Sequence, residues 1–197
     1  MVGDRRRVRH QQAGGTSTLR QARQGGPAPM SRTSWVSMAG RLRARCTRTV
    51  STTVDIDRPA ADVWAVLTDF DGYPEWNPQI RRADGELVPG RRVTFHLHPP
   101  VGPPMRIRPR VLIVDPAREL RLRGSLPGIF SGEHWFELEP IDDGRGTHVT
   151  QGETYRGLIV PLLGRVVATS LIGFQQHNAA LKRRVETVST GRRREPP

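Results

Sequence analysis

The residues with the clearest chemical potential are a glutamate and a histidine on adjacent predicted strands. Glu153 shares one face of a predicted strand, 146–155, with Tyr155, because side chains alternate between the two faces of a strand. His134 lies on the inward face of the preceding predicted strand, 132–140. An unpaired carboxylate inside a protein is costly, so Glu153 needs a partner, and His134 is the candidate. The pair could orient a ligand carbonyl or hydroxyl or act as acid and base, or it could be a structural hydrogen bond.

Other polar and aromatic residues are weaker candidates. Asn178 interrupts the apolar face of a long predicted helix, so it should have a buried partner, either protein or ligand; a structural role at the sheet is slightly favoured. Trp76, in a tight turn, could cover a pocket or belong to the core. His96 and His98 alternate with Phe95 and so point away from the core. No third ligand lies near these two histidines, and we expect no metal site.

The motifs of nucleophilic and cofactor chemistry are absent from the sequence. It has no Gly-rich phosphate loop and no G-x-S-x-G nucleophile turn, and we expect no cofactor. The single cysteine, Cys46, excludes an intrachain disulfide and a Cys-rich zinc site. It fits a reducing compartment, so we expect a cytoplasmic location. No apolar run reaches the length of about 18 residues that a membrane span requires.

The elements that must position these residues begin near residue 49. Alternation from Val50 to Ile56 predicts a half-buried strand. Asp57 is a plausible N-cap for the short helix that follows, and Trp64 on its apolar face should be core. Turn signals then separate six candidate strands, which are 79–87, 91–98, 105–114, 118–124, 132–140 and 146–155.

A long amphipathic helix closes the pattern. Apolar residues recur at helical spacing from Leu163 to Val185, including Leu171 and Phe174, and Pro161 suits the first turn. A meander after one early helix is typical of the α+β class. We therefore predict a curved seven-stranded antiparallel sheet wrapped around the C-terminal helix, with one or two short helices after the first strand. Such a sheet leaves a cavity beside the helix, and the cavity suggests a binding function.

The formal charge of +12 is carried by the two ends of the chain. Residues 49–188 hold seventeen basic and seventeen acidic residues, so they offer nucleic acid no basic excess, and we expect no specific nucleic-acid binding. Residues 1–47 are rich in Gly, Arg and Gln without a hydrophobic period, which predicts a disordered basic extension. A transit peptide or a later start codon are alternatives for that segment. We expect one domain, 48–188, and a disordered basic tail, 189–197.

Several segments share their order and spacing with a known superfamily. The sequence Asp-Arg-Pro-Ala-Ala-Asp-Val-Trp from Asp57 is followed by Tyr-Pro-Glu-Trp-Asn-Pro from Tyr73. Later come Gly-Glu-His-Trp-Phe-Glu-Leu-Glu-Pro from Gly132, Glu-Thr-Tyr-Arg-Gly-Leu from Glu153, and a closing helix that contains Phe174 and Asn-Ala-Ala-Leu-Lys. This pattern resembles the polyketide-cyclase/dehydrase-like branch of the START-like (SRPBCC, helix-grip) superfamily over roughly residues 48–188.

The resemblance implies a helix-grip fold with a hydrophobic pocket, but a fold alone does not fix an activity. We favour a binder of a hydrophobic small molecule, lipid- or polyketide-like, held between the sheet and the C-terminal helix. One alternative is a polyketide cyclase/dehydratase-type enzyme that uses Glu153 and His134 as an acid–base pair. Another is a chaperone co-activator or interaction module. The expected lining residues are Trp76, Phe95, His134, Phe136, Glu153, Tyr155, Leu171, Phe174 and Asn178.

Overall fold

The chain folds as one strand, two short helices, a meander of strands and a long helix. The structure is a computed structural model that describes residues 46–100 and 102–192. The helices are α1 (Ala60–Thr68), α2 (Tyr73–Trp76) and α3 (Gly164–Arg192). The strands are β1 (Thr47–Ile56), β2 (Ile80–Asp84), β3 (Thr94–Leu97), β4 (Met105–Ile107), β5 (Arg110–Asp115), β6 (Glu119–Leu126), β7 (Phe130–Ile141) and β8 (Gly146–Gly157). Residues 1–45 and 193–197, which hold most of the predicted extension and tail, lie outside the described residues.

The strands pair antiparallel in two sheets. One sheet has five strands in the order β1-β8-β7-β6-β5, and the other has three in the order β2-β3-β4. An isolated bridge between Arg92 and Arg110 joins them. The predicted strand 105–114 is interrupted at Pro109, because proline has no N–H for a ladder hydrogen bond, and eight strands form instead of seven. The predicted α+β class and helix-grip architecture are confirmed.

Helix α3 lies across the inner face of the five-stranded sheet. Leu181 and Val185, two members of the predicted apolar stripe, are buried, as are Leu138 and Val149 on the facing strands. Their burial follows from the spacing of apolar residues along the sequence. Side chains three or four residues apart lie on the same face of a helix, and side chains two residues apart lie on the same face of a strand. Within the described ranges, no helix is long and apolar enough to cross a membrane.

Both predicted helix starts are wrong by a few residues. Pro59 occupies the N-cap of α1, and no side chain caps that helix. The backbone N–H of Asp57 instead donates to Glu186 Oε1 at 3.2 Å. Pro161 belongs to a separate 3-10 turn, Val160–Leu162, and α3 begins only at Gly164. A proline suits the first turn of either helix type, since its missing N–H has no partner there, so its position could not decide between them.

Candidate functional site

A row of polar side chains crosses the otherwise apolar inner face of β7 and β8. His134 and Glu153 are direct cross-strand neighbours, with His134 Nδ1 3.8 Å from Glu153 Oε2. The phenol of Tyr155 donates to Glu153 Oε2 at 2.9 Å. Gln151 Nε2 lies 3.2 Å from His134 Nε2, which accepts that hydrogen bond when the imidazole proton is on Nδ1. The structure thus brings the predicted histidine and glutamate together, with a polar neighbour on each side.

Ser170 of α3 extends this row from the helix side. Its Oγ lies 2.7 Å from Tyr155 Oη and 2.9 Å from the Val166 carbonyl oxygen; when Tyr155 donates to Glu153, the single Ser170 proton serves only one of these two contacts. Burial, with the charge of Glu153 adding to it, raises the pKa of Tyr155 well above its usual range, although the Ser170 contact acts in the opposite direction. Tyr155 is therefore a neutral donor. Sequence reasoning missed Ser170, although it lies four residues before Phe174 and hence on the same helical face.

Gly132 provides the space that the Glu153 carboxylate occupies. A β carbon at position 132 would overlap Glu153 Oε1. Gly132 pairs with Gly124 across β6 and β7, and there a β carbon would meet no atom within 4 Å. One of these two inward glycines is therefore covered by Glu153, and the other borders open space.

The space between the sheet and α3 is filled at one end and open at the other. Val149 and Leu181, towards the end where β8 begins, are completely buried. Towards the end where β7 begins, the side chains of His134 and Glu153 keep 23% and 21% of their surface exposed. Phe174 of α3 is half-buried at the same end. Solvent therefore reaches His134 and Glu153, whereas Gln151 and Tyr155 in the same row are buried.

Two aromatic residues of the predicted lining flank the imidazole of His134. Phe136 packs edge-on at 5.1 Å between ring centroids, and Phe174 approaches from the helix at 4.9 Å. Leu171, three residues before Phe174 on α3, is also half-buried. The open end of the space thus combines apolar walls with one carboxylate and one imidazole.

Three other predicted lining residues have different surroundings. Trp76 packs against Tyr73 at 5.0 Å, and Phe95 packs edge-on against Phe70 at 5.3 Å, so both belong to the aromatic core near α1 and α2. Asn178 is 2% exposed, and neither atom of its amide is hydrogen-bonded within the described part of the chain. The favoured structural role for Asn178, a hydrogen bond at the sheet, is therefore wrong.

His177 is a buried ionisable residue that sequence reasoning did not single out. Its ring lies between Trp76 and Phe136, each centroid 5.3 Å away. Burial, together with the charge of His134, lowers the pKa of His177 to about 3. The Asn178 side chain beside it acts weakly in the opposite direction, although no hydrogen bond of ordinary geometry joins the two. His177 is thus a neutral imidazole at physiological pH, and its position three residues after Phe174 was the available signal.

Two open clefts lie away from the polar row. One, of about 550 Å³, is lined by Trp64, Asp69 and Leu87, among others, and it leaves Trp64 half-buried instead of fully packed in the core. The other, of about 490 Å³, lies between β1 and α3 and includes Asn178 and Lys182. Across residues 46–100 and 102–192, no group of three His, Cys, Asp or Glu side chains could hold a metal ion.

Comparison with known proteins agrees with this architecture. The sequence model of the family described as polyketide cyclase / dehydrase and lipid transport matches residues 47–186. No protein among the curated sequences matches significantly. A START superfamily protein from Mycobacterium smegmatis has a TM-score of 0.59 at 20% identity, over 71% of this chain and 98% of that one.

Two further solved structures are similar to the chain. The Zhui aromatase/cyclase from Streptomyces sp. R1128 has a TM-score of 0.58 at 21% identity, over 71% of this chain and 94% of that one. A norcoclaurine synthase from Thalictrum has a TM-score of 0.57 at 13% identity, over 73% and 96%. At such identities the structural likeness shows the fold alone.

Proposed function

The chain belongs to the polyketide cyclase/dehydrase and lipid transport family, in the START-like superfamily, and on that premise we propose that it binds a hydrophobic small molecule, lipid- or polyketide-like, between the five-stranded sheet and α3. We further propose that the ligand presents a hydroxyl group to Glu153. Its apolar body would pack against Phe136 and Phe174.

The observation that carries this proposal is a solvent-accessible carboxylate set in an apolar wall. A carboxylate has about four acceptor positions, and Tyr155 occupies one of those on Glu153. Glu153 can therefore accept a further hydrogen bond from a ligand hydroxyl. Because Tyr155 is already a donor to the same carboxylate, the side chain is held in place before a ligand arrives, which lowers the entropic cost of binding.

A pair of small ligands tests this proposal. 2-Naphthol carries a hydroxyl on an apolar bicycle, and 2-methoxynaphthalene has nearly the same shape but no donor. A hydrogen bond to a charged acceptor is worth about 1.5–3 kcal/mol, so we expect the full chain to prefer 2-naphthol by about tenfold or more in a fluorescence titration. Glu153→Gln should reduce that preference, and Glu139→Gln, an exposed position on β7, should not. Equal affinity for both compounds, or no binding of either, would contradict the proposal.

The second candidate is a cyclase/dehydratase-type enzyme, and the 3.8 Å approach of His134 Nδ1 to Glu153 Oε2 favours it. In a dehydration, one group of the pair removes the α-hydrogen of a β-hydroxyketone as a proton. The other protonates the departing hydroxyl, which leaves as water, and a carbon–carbon double bond forms. 4-Hydroxy-4-phenylbutan-2-one is a suitable probe because its product absorbs strongly in the ultraviolet. Turnover that disappears in Glu153→Gln while 2-naphthol still binds would support the enzyme, and no turnover above buffer would exclude this reaction for the probe.

A further inference from the structure

Four large aliphatic side chains project into solvent from two adjacent loops at the open end of the sheet. Leu126 and Ile129 lie at the turn between β6 and β7, and Leu158 and Leu162 lie between β8 and α3. Leu158 is 71% exposed and Leu162 is 84% exposed. We call these four residues the apolar rim. Exposed aliphatic side chains are ordinary when scattered, but a contiguous group of them marks an interaction surface.

Backbone hydrogen bonds hold the rim together as one surface. The N–H of Leu158 donates to the Ile129 carbonyl at 3.0 Å, and the N–H of Ile129 donates to the Leu126 carbonyl at 3.1 Å. Gly157, with a φ of +136°, allows the two loops to approach this closely, since a β carbon there would overlap the Ile129 carbonyl. Behind the rim, Tyr155 and its apolar neighbours form a small separate core.

The two chain segments that carry the rim contain basic residues but no acidic ones. The sequence contains no acidic residue between Glu119 and Glu133, and none between Glu153 and Glu186. Arg156, at the end of β8, is exposed and lies 3.9 Å from the Glu133 carboxylate. Arg165, in the first turn of α3, is also exposed. The aliphatic tips are thus flanked by two exposed arginines, and Arg156 lies within ion-pair distance of one carboxylate, that of Glu133.

We propose that the apolar rim docks on the surface of an anionic lipid bilayer. Leu158 and Leu162 would enter the boundary between headgroups and acyl chains, while Arg156 and Arg165 would contact lipid phosphates. Apolar tips with basic flanks have the composition that binds such an interface. A second copy of the chain fits less well, because a two-fold contact through the rim would bring the same arginines together. This inference concerns a surface beside the open end and does not depend on the ligand proposed above.

Site-specific fluorescence tests the docking surface in the full chain. In a Cys46→Ser background, Leu162→Cys is labelled with a nitrobenzoxadiazole dye, and Val88→Cys, an exposed position in the β2–β3 loop, provides the control. Vesicles contain equal parts phosphatidylglycerol and phosphatidylcholine, or phosphatidylcholine alone. High salt screens the attraction of the Arg-rich ends. We expect a blue shift and severalfold brightening at position 162 with anionic vesicles that persist in part at high salt, and no change at position 88.

Substitution of the rim provides a second measurement. Leu158→Ser with Leu162→Ser should lower the vesicle partition coefficient by about tenfold or more, because two leucines inserted into the bilayer contribute strongly to interfacial binding. Val88→Ser with Ile113→Ser, which also removes two exposed aliphatic side chains, should leave it unchanged.

Three outcomes would overturn the proposal: an unshifted dye at position 162, equal dye shifts at positions 162 and 88, or equal binding to anionic and neutral vesicles. A shift that grows with protein concentration in the absence of vesicles would assign the rim to a second copy. Binding of 2-naphthol without vesicles should be the same in both double variants, so failure here is separable from failure of the proposed function.

Discussion

Replacing Gly132 by alanine should disable the site while leaving the fold intact. The residue lies in β7 beneath the Glu153 carboxylate, and its φ is negative, so the backbone accepts alanine without strain. The added methyl group would overlap Glu153 Oε1, so the carboxylate has to move. Gly124, the cross-strand partner of Gly132, provides a matched control because a methyl group there meets open space.

The expected magnitudes follow from which atoms must shift. Glu153 Oε1 is the end of a flexible side chain, so relieving the overlap costs little packing energy. The loss of the Tyr155–Glu153 hydrogen bond is partly offset by the reduced entropy of an unfolded chain with alanine in place of glycine, worth about 0.4–1 kcal/mol. We expect the free energy of unfolding of Gly132→Ala to lie within about 1 kcal/mol of wild type. Affinity for 2-naphthol should fall by about tenfold to a hundredfold, because the ligand loses a charge-assisted hydrogen bond.

Two measurements on the same samples separate these effects. Urea denaturation gives the free energy of unfolding, and fluorescence titration with 2-naphthol gives the affinity. Gly124→Ala should match or slightly exceed wild type in stability and should bind 2-naphthol normally. If Gly132→Ala binds 2-naphthol as well as Gly124→Ala does, then the position of the Glu153 carboxylate does not matter for binding. That result would refute the proposed role of Glu153.

Three further predictions concern packing, pH and the chain ends. Leu181→Ala, at a fully buried position, should lower the free energy of unfolding by about 2–5 kcal/mol. Phe174→Ala should lower it by less and should also weaken 2-naphthol binding. If urea denaturation shows the larger loss for Phe174→Ala, then Phe174 belongs to the closed core. His177 has a folded pKa of about 3 against an unfolded value near 6.5, so only the unfolded chain binds its proton between these values. Stability should therefore fall by on the order of 4 kcal/mol as pH decreases through that window, and a His177→Gln variant with an equally steep decline would contradict this. A chain that begins at Met38 should keep its thermal midpoint within error, and a loss of several degrees would show that the preceding residues stabilise the domain.

The parts of the site that could be predicted are those that depend on how apolar residues repeat along a single strand or helix. Alternation along β8 places Glu153 and Tyr155 on one face, and the short turn before it makes β7 its neighbour, so the meeting of His134 and Glu153 follows from strand order and register. The long helix was visible for the same reason, since apolar residues recur at helical spacing from Leu163 to Val185. In each case the burial of one face requires a repeat that the sequence displays directly.

The parts that could not be predicted depend on which surfaces meet across the fold. Phe95 alternates as an inward residue should, but the interruption at Pro109 places β3 in the smaller sheet, where Phe95 packs on Phe70. Ser170 and His177 interrupt an apolar helix face, and only the packing of α3 decides whether such residues meet a partner or a ring. Whether the inner face is filled at one end and open at the other is likewise a property of how the helix lies on the sheet.

The placement of the histidine and the glutamate also limits what chemistry the site could perform. His134 and Glu153 are cross-strand neighbours, so both approach a bound molecule from the same wall. A carrier needs only one acceptor there, and Glu153 with its Tyr155 donor is sufficient. An enzyme that uses both groups would have to remove the hydrogen and the hydroxyl from one face of the substrate, which is a syn elimination. A β-hydroxyketone labelled stereospecifically with deuterium at the α carbon should then lose the label syn to the hydroxyl, because both groups reach the substrate from one wall. Loss of the anti label during turnover would show that this pair does not carry out the reaction.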